Sequence, residues 1–178
     1  MTHTTPPVII GLAGYAGTNK ELVATRLAQG VGDHPPFTWR TVTDIVARIA
    51  AGALGWDGTK DGPGRAKLWD ASRRYRAAFG PDALIADALR DTPARLVISG
   101  VRLEVEANAI RAAGGVVITL TRPNVIAADD DEALLCVGDI TVDSSDVTTA
   151  AHTALNFALA HVAHATSPRL EPHPQPSR

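Results

Sequence analysis

Residues Val8–Ala24 read VIIGLAGYAGTNKELVA: an apolar run, three glycines (Gly11, Gly14 and Gly17) and Lys20 in one stretch. A continuous apolar run followed by a glycine-rich turn and a segment of helical composition describes a buried strand feeding a helix. Such a junction cradles phosphate. Backbone N–H groups of the turn and the helix N-terminus face the anion, and the lysine adds a point charge. Against G-x-x-x-x-G-K-[ST], the stretch Gly14-Tyr15-Ala16-Gly17-Thr18-Asn19-Lys20-Glu21-Leu22 keeps the first glycine and the lysine. Asn19 replaces the second glycine and Glu21 the hydroxyl.

Working outward, apolar strands alternate with amphipathic helices. Strands are expected at Val8–Leu12, Phe37–Val42, Arg95–Ser99, Val116–Leu120 and Ile140–Val142, and helices at Lys20–Gln29, Thr43–Leu54, Arg65–Phe79, Pro81–Leu89, Glu104–Ala113 and Val147–Ala163. Pro81 is placed as a helix opener, and Gly114-Gly115 as a helix stop. The glycine-rich stretch Gly55–Gly64 is expected as an exposed, mobile connection, and Asp129–Glu132 as an acidic turn. The alternation predicts an α/β three-layer sandwich with a parallel sheet and helices on both faces. Ligands of such sheets bind beyond the carboxyl ends of the strands. That places Gly11–Lys20, Gly100–Glu106 and Thr121–Asn124 on one rim, with Arg102 and Arg122.

The bulk properties exclude several classes. The 178 residues suit one domain of residues 1–165 with a tail, 166–178, expected to be disordered for its prolines and few apolar residues. Hydrophobic residues at 45% and charged ones at 20% describe an ordinary globular chain. A net charge of −2 argues against general nucleic-acid binding. The single cysteine, Cys136, excludes an internal disulfide and a cysteine metal cage, and reads as a small buried hydrophobe. No apolar stretch reaches the roughly 18 residues that would span a bilayer, and MTHTTPP has no signal-peptide pattern. No membrane partner is expected, and the expected location is cytoplasmic. The six histidines show no metal-binding spacing.

These residues resemble a known family. Gly11–Ala24 is similar to the opening of the P-loop deoxynucleoside monophosphate kinases of phages and bacteria. Ser99–Val117, SGVRLEVEANAIRAAGGVV, resembles that family's D-V-R-F-x-N-E-x-x-x-I-r-x-x-G-G segment. Gly55-Trp56-Asp57, Lys60, Arg76, Phe79-Gly80 and Arg122-Pro123 follow in the family's order, and Thr43-Asp44 before Ala47-Arg48 resembles its A-D-P segment near the acceptor. The resemblance covers about residues 8–160. It implies a P-loop nucleoside triphosphate hydrolase/nucleotide kinase fold. It also implies transfer of the ATP γ-phosphoryl group to a nucleoside monophosphate, with Mg²⁺ and a basic lid over the donor. The roles that follow assign Lys20, Arg76 and Arg102 to catalysis and Gly14–Leu22 to nucleotide phosphates. Asp44, Arg48, Arg102 and Glu106 fall to the acceptor, Arg65 and Arg73 to a lid within about 55–80, and Glu21 to the metal. The expected partners are the nucleotide substrate and, in a homodimer, a second copy of the chain.

Each assignment has a plainer alternative. Lys20 is otherwise a solvated lysine in a helix first turn, although a cation is disfavoured there by the helix dipole. The arginines of 65–76 would otherwise form a solvated face, Arg122 would pair with the turn at Asp129–Asp131, and Trp56 would be a packing residue. Against the family pattern Gly100 stands where an aspartate ends the third strand, leaving Asp44, Asp87, Glu104 or Glu106 to replace that carboxylate. A kinase-like binding protein that lost catalysis with that aspartate is the alternative function.

Overall fold

A computed structural model describes residues 6–59, 61–127 and 136–166. Its strands are β1 (Val8–Ala13), β2 (Thr38–Thr41), β3 (Arg95–Val101), β4 (Val116–Thr121) and β5 (Ile140–Asp143). They form one sheet in the order β2-β3-β1-β4-β5 with every neighbouring pair parallel. The helices are α1 (Lys20–Gln29), α2 (Val42–Leu54), α3 (Gly62–Phe79), α4 (Ala83–Leu89), α5 (Glu104–Ala112) and α6 (Val147–Thr166).

The central strand β1 is buried at every position, as a parallel strand covered on both faces must be. Its side chains alternate between two cores. Val8, Ile10 and Leu12 join Leu27 of α1 with Ala151 and Leu155 of α6. Ile9 and Ala13 join Ile45 of α2, Leu84 and Ile85 of α4 and Ile110 of α5. Helices therefore cover both faces, and the architecture is the three-layer α/β sandwich with a parallel sheet that the alternation predicts.

Several boundaries differ from expectation, each for a local reason. Helix α3 starts at Gly62 rather than Arg65, because the Asp61 carboxylate accepts from Gly64 N (2.8 Å) and Pro63 sits in the first turn. Proline's missing N–H is harmless there, so the connection after α2 shrinks to residues 55–61. Pro81 does not open α4. Ala83 N donates to Gly80 O (3.2 Å), so Pro81 and Asp82 form a turn and the helix begins two residues later, at Ala83. Strand β3 runs past Ser99 to Val101, and α6 runs to Thr166. Of the expected tail 166–178, Thr166 closes α6 and the rest lies outside the described residues, as do Lys60 and the acidic turn Asp129–Glu132.

The expected lid stretch contains a helix of 18 residues, α3, which packs on α2 and α4 and buries Gly64, Ala71 and Ser72. Among the described residues no helix is long and apolar enough to cross a membrane.

Candidate functional site: a phosphate-loop rim at the strand ends

The loop between β1 and α1 leaves the centre of the sheet at its carboxyl edge. Gly14 takes φ +138°, and a Cβ there would meet Leu120 O at 2.5 Å and Thr18 Oγ1 at 2.7 Å. The chain passes over the end of β4 too closely for any side chain. Past the exposed residues Ala16 and Gly17 the loop folds back on itself. Thr18 Oγ1 donates to Tyr15 O (2.8 Å), and Lys20 Nζ donates to the same carbonyl (2.6 Å). Lys20 is 9% exposed. A long cationic side chain is seldom so buried without a partner, and here it curls back under the loop at the N-terminus of α1. Glu21 and Leu22 of that first turn point to solvent. Asn19, at the position of the motif's second glycine, takes φ 58°. Asparagine tolerates this left-handed conformation better than most residues. Its Nδ2 donates to Ser144 O (2.9 Å) in the turn between β5 and α6.

Arg102 leaves the sheet beside this loop, because the register pairs Ala13 with Val101. Just before it β3 is irregular. Leu12 pairs with Ser99 and Ala13 with Val101, so Gly100 is an extra residue, a β-bulge at φ +85°. The Arg102 guanidinium lies 5.0 Å from the centre of the Trp69 ring of α3, a cation–π contact. Glu106 is fully buried and works inward. Its Oε2 accepts from Arg102 N (2.9 Å) and Leu103 N (3.1 Å), and its Oε1 accepts from Arg76 of α3 (2.7 Å). A second nitrogen of Arg76 donates to Ser72 Oγ. The structure thus joins Arg76, Glu106 and the Arg102 backbone in one network, with Glu106 occupied by these partners.

The other assigned residues lie farther out. Asp44 and Arg48 are exposed on α2 and line a cleft of about 420 Å³ with Trp39, Thr41 and Asp87. An adjoining cleft of about 390 Å³ shares Arg48 and Asp87 and adds Tyr75 and Arg90. Arg65 is exposed near the start of α3, and Arg73 is exposed 4.0 Å from Asp70. Arg76 turns inward, so the two arginines three residues apart share no partner. Arg122 is exposed and lies close enough to Asp143 to help hold that carboxyl below its usual range, behind the larger effect of hydrogen bonds from Ser145. Of the carboxylates expected to replace an aspartate at position 100, Glu104 pairs with Arg111 (2.7 Å) and Glu106 with Arg76. Asp87 accepts from Tyr75 and Arg90. Asp44 makes no ion pair among the described residues. No group of three or more His, Cys, Asp or Glu residues placed to hold a metal occurs among the described residues.

Two contributors were missed in the sequence. Trp69 shares the inner face of α3 with Ser72 and Arg76, a spacing of three and seven that was available to be read. Ser144 follows a short strand whose end reaches the same rim, and no motif marks it.

No protein-family model and no curated sequence matches the chain. Among solved structures, a shikimate kinase from Aquifex aeolicus vf5 is similar with a TM-score of 0.48 and 14% identity, over 87% of this chain and 98% of its own. The APS kinase CysC of Mycobacterium tuberculosis, as a Cys556Ala mutant, gives 0.46 and 14%, over 88% and 99%. A gluconokinase from Sinorhizobium meliloti 1021 gives 0.45 and 16%, over 92% and 95%. At this level these are likenesses in the path of the chain alone.

Proposed function

We propose that the protein is an ATP-dependent kinase that transfers the γ-phosphoryl group to a (deoxy)nucleoside monophosphate or a modified relative. The observation that carries the reading is the loop itself. Gly14 passes over the end of β4 where no side chain fits, and Lys20 is held beneath the loop at the start of a helix. The resemblance of Ser99–Val117 to the nucleoside monophosphate kinases supports the acceptor assignment.

The residues present fit the donor. The loop from Gly14 to Thr18 and the first turn of α1 bind and orient its phosphates, and Lys20 balances their charge. Mg²⁺ commonly binds through one or two carboxylates together with substrate phosphates. The exposed Glu21 beside Lys20 would be its protein ligand, and the ion supplies further charge neutralisation when bound. Phosphoryl transfer asks the protein chiefly for position and positive charge. Arg102, stacked on Trp69, orients the acceptor or its phosphate from the neighbouring strand end. Arg76 keeps the Arg102 turn in place through Glu106, and Asp44 and Arg48 form the outer wall on the acceptor side. Arg65 and Arg73, both exposed, are the lid residues of this reading. A cytoplasmic enzyme, monomeric or homodimeric, is consistent with it.

A coupled assay over a panel of nucleoside monophosphates tests the proposal. Turnover with at least one acceptor is expected, with a loss of about a hundredfold or more in Lys20→Ala. Normal ATP binding with no turnover on any acceptor would reject it.

One observation favours a second reading, a kinase-like nucleotide-binding protein impaired in catalysis. The strand-end aspartate of the family is replaced by a bulged glycine, and three of the four carboxylates nearby are engaged elsewhere. Nucleotide binding without turnover would establish that reading.

A further inference from the structure

Asn19 departs from the phosphate-loop pattern, and its side chain does not do what asparagine does at a helix start. An N-cap asparagine ordinarily accepts a hydrogen bond from an amide of its own first turn. Here it makes no such bond to α1. Its amide turns outward and donates to Ser144 O at 2.9 Å, across 125 positions of sequence. The acceptor is a carbonyl, so chemistry alone fixes which end of the amide faces it.

Ser144 is fully buried and is bonded to the loop a second time. Its Oγ lies 2.8 Å from Thr18 O and 2.7 Å from Thr121 O, and its N–H donates to Thr121 O at 2.8 Å. Consecutive loop residues, Thr18 and Asn19, are therefore tied to one serine, which is itself tied to the end of β4. The residue immediately after this double tie is Lys20.

We propose that Asn19 and Ser144 form a brace that holds the phosphate loop in its binding shape before any ligand arrives, making Asn19 a positioning residue for Lys20. In the general motif a glycine at this place gives the loop its left-handed turn and nothing more. In this chain asparagine reaches the same backbone region and adds an anchor to the β5–α6 turn. Turning the side chain outward also leaves it out of the space in front of the first amides of α1, where phosphate would lie. The nucleotide part of the inference rests on the phosphate-loop reading above; the brace itself does not.

The test compares wild type with Asn19→Gly, which restores the motif glycine, and Asn19→Asp, which keeps the shape but loses the donor. Ser144→Ala removes the hydroxyl tie and keeps the carbonyl. Amide hydrogen exchange over residues 15–22 of the ligand-free protein is the first readout. The second is MgADP affinity, with KM for MgATP and kcat on the best acceptor. One lost hydrogen bond corresponds to about a three- to tenfold effect. Loop exchange is expected to quicken by about that factor in all three variants, with the amides of β3 and α5 unchanged. MgADP affinity should fall and KM for MgATP rise by a similar factor, with kcat falling by much less than in Lys20→Ala, because the lysine is displaced and not removed. Asn19→Asp should be the worst, because its carboxylate is set against the Ser144 carbonyl in place of the lost donor and so pushes the loop off its anchor. Unchanged loop exchange in Asn19→Gly, or tighter nucleotide binding by it, would overturn the brace. If wild type binds no nucleotide, the kinase reading fails, and ligand-free exchange still decides the brace.

Discussion

At position 100 the backbone conformation, not crowding, dictates the residue. A Cβ there would have ordinary room, its nearest neighbours being Thr43 Oγ1 at 3.6 Å and Val42 Cβ at 3.7 Å. Its φ of +85°, however, lies where residues with a side chain are strained. Placing an aspartate there, as in the kinases that Ser99–Val117 resembles, is thus not a simple repair. Gly100→Asp is expected to cost about 1–2 kcal/mol, read as a lower denaturant midpoint with unchanged slope, and to leave turnover no higher than wild type. A sharp gain in turnover at undiminished stability would show that the bulge is not fixed. Cys136 gives a second expectation at this scale. Burial, with Glu104 and Glu106 nearby, pushes its thiol up from 9.0 to about 11. The thiolate attacks alkylating agents, so native protein at pH 8 should react with iodoacetamide far more slowly than unfolded protein. The raised folded value also means that stability from the neutral thiol is full below about pH 9 and lost as pH climbs toward 11. Cys136→Ala should flatten that part of the stability profile, and a profile identical to wild type would contradict the assignment.

At the scale of elements, the joint between α3, α5 and the end of β3 depends on one carboxylate. Glu106 has no exposure and holds Arg76 at 2.7 Å while accepting both N–H groups of the Arg102-Leu103 turn. Removing one partner of a buried pair strands the other charge, which costs about 3–5 kcal/mol. Arg76 keeps 17% side-chain exposure and can recover some hydration, so Glu106→Ala is expected near the lower end of that range. Arg76→Ala should cost less, because Glu106 keeps its two backbone donors. Equal costs, measured by chemical denaturation, would argue that the backbone bonds contribute little. The joint also shows which parts of the sequence were readable. The runs VIIGL, RLVIS and VVITL read as buried strands because the centre of each is apolar without alternation, and α1 begins and ends as its spacing indicates. The start of α3 was obscured because its glycines argued against a helix, whereas Asp61 and Pro63 jointly favoured one. Glu106 was readable as a motif residue and not as a partner of Arg76, 30 positions away, because such pairing exists only once α3 lies against the sheet. Ser144 escaped notice for the same reason, its contacts being 125 and 126 positions distant.

Across the whole molecule, the sheet brings four separated segments to one rim. These are the loop after β1, Arg102 after β3, the Thr41–Asp44 start of α2, and the β5–α6 turn at Ser144. None of them is a site alone, and the parallel order with β1 in the centre is what places the glycine loop after β1 among them. A ligand held by such a rim ties segments from across the chain together, so its binding should stabilise the fold as a unit. Stabilisation by a ligand that binds only the folded state follows RT ln(1 + [L]/Kd), about 2.7 kcal/mol at a hundredfold excess over Kd. For a domain of this size that is a rise in Tm of about 5–10 °C. MgATP or MgADP is expected to give such a shift, an acceptor monophosphate to give its own, and the two together more than either. Lys20→Ala should lose the donor shift and keep the acceptor shift, because the acceptor is assigned to Arg102, Asp44 and Arg48 rather than to the loop. Loss of both in that variant would mean that donor and acceptor do not occupy separate parts of the rim. A flat response of wild type to every nucleotide, with and without Mg²⁺, would remove the phosphate-loop reading itself. The donor shift should also weaken as inorganic pyrophosphate is added, since a loop built from amides and one lysine recognises phosphates rather than the base.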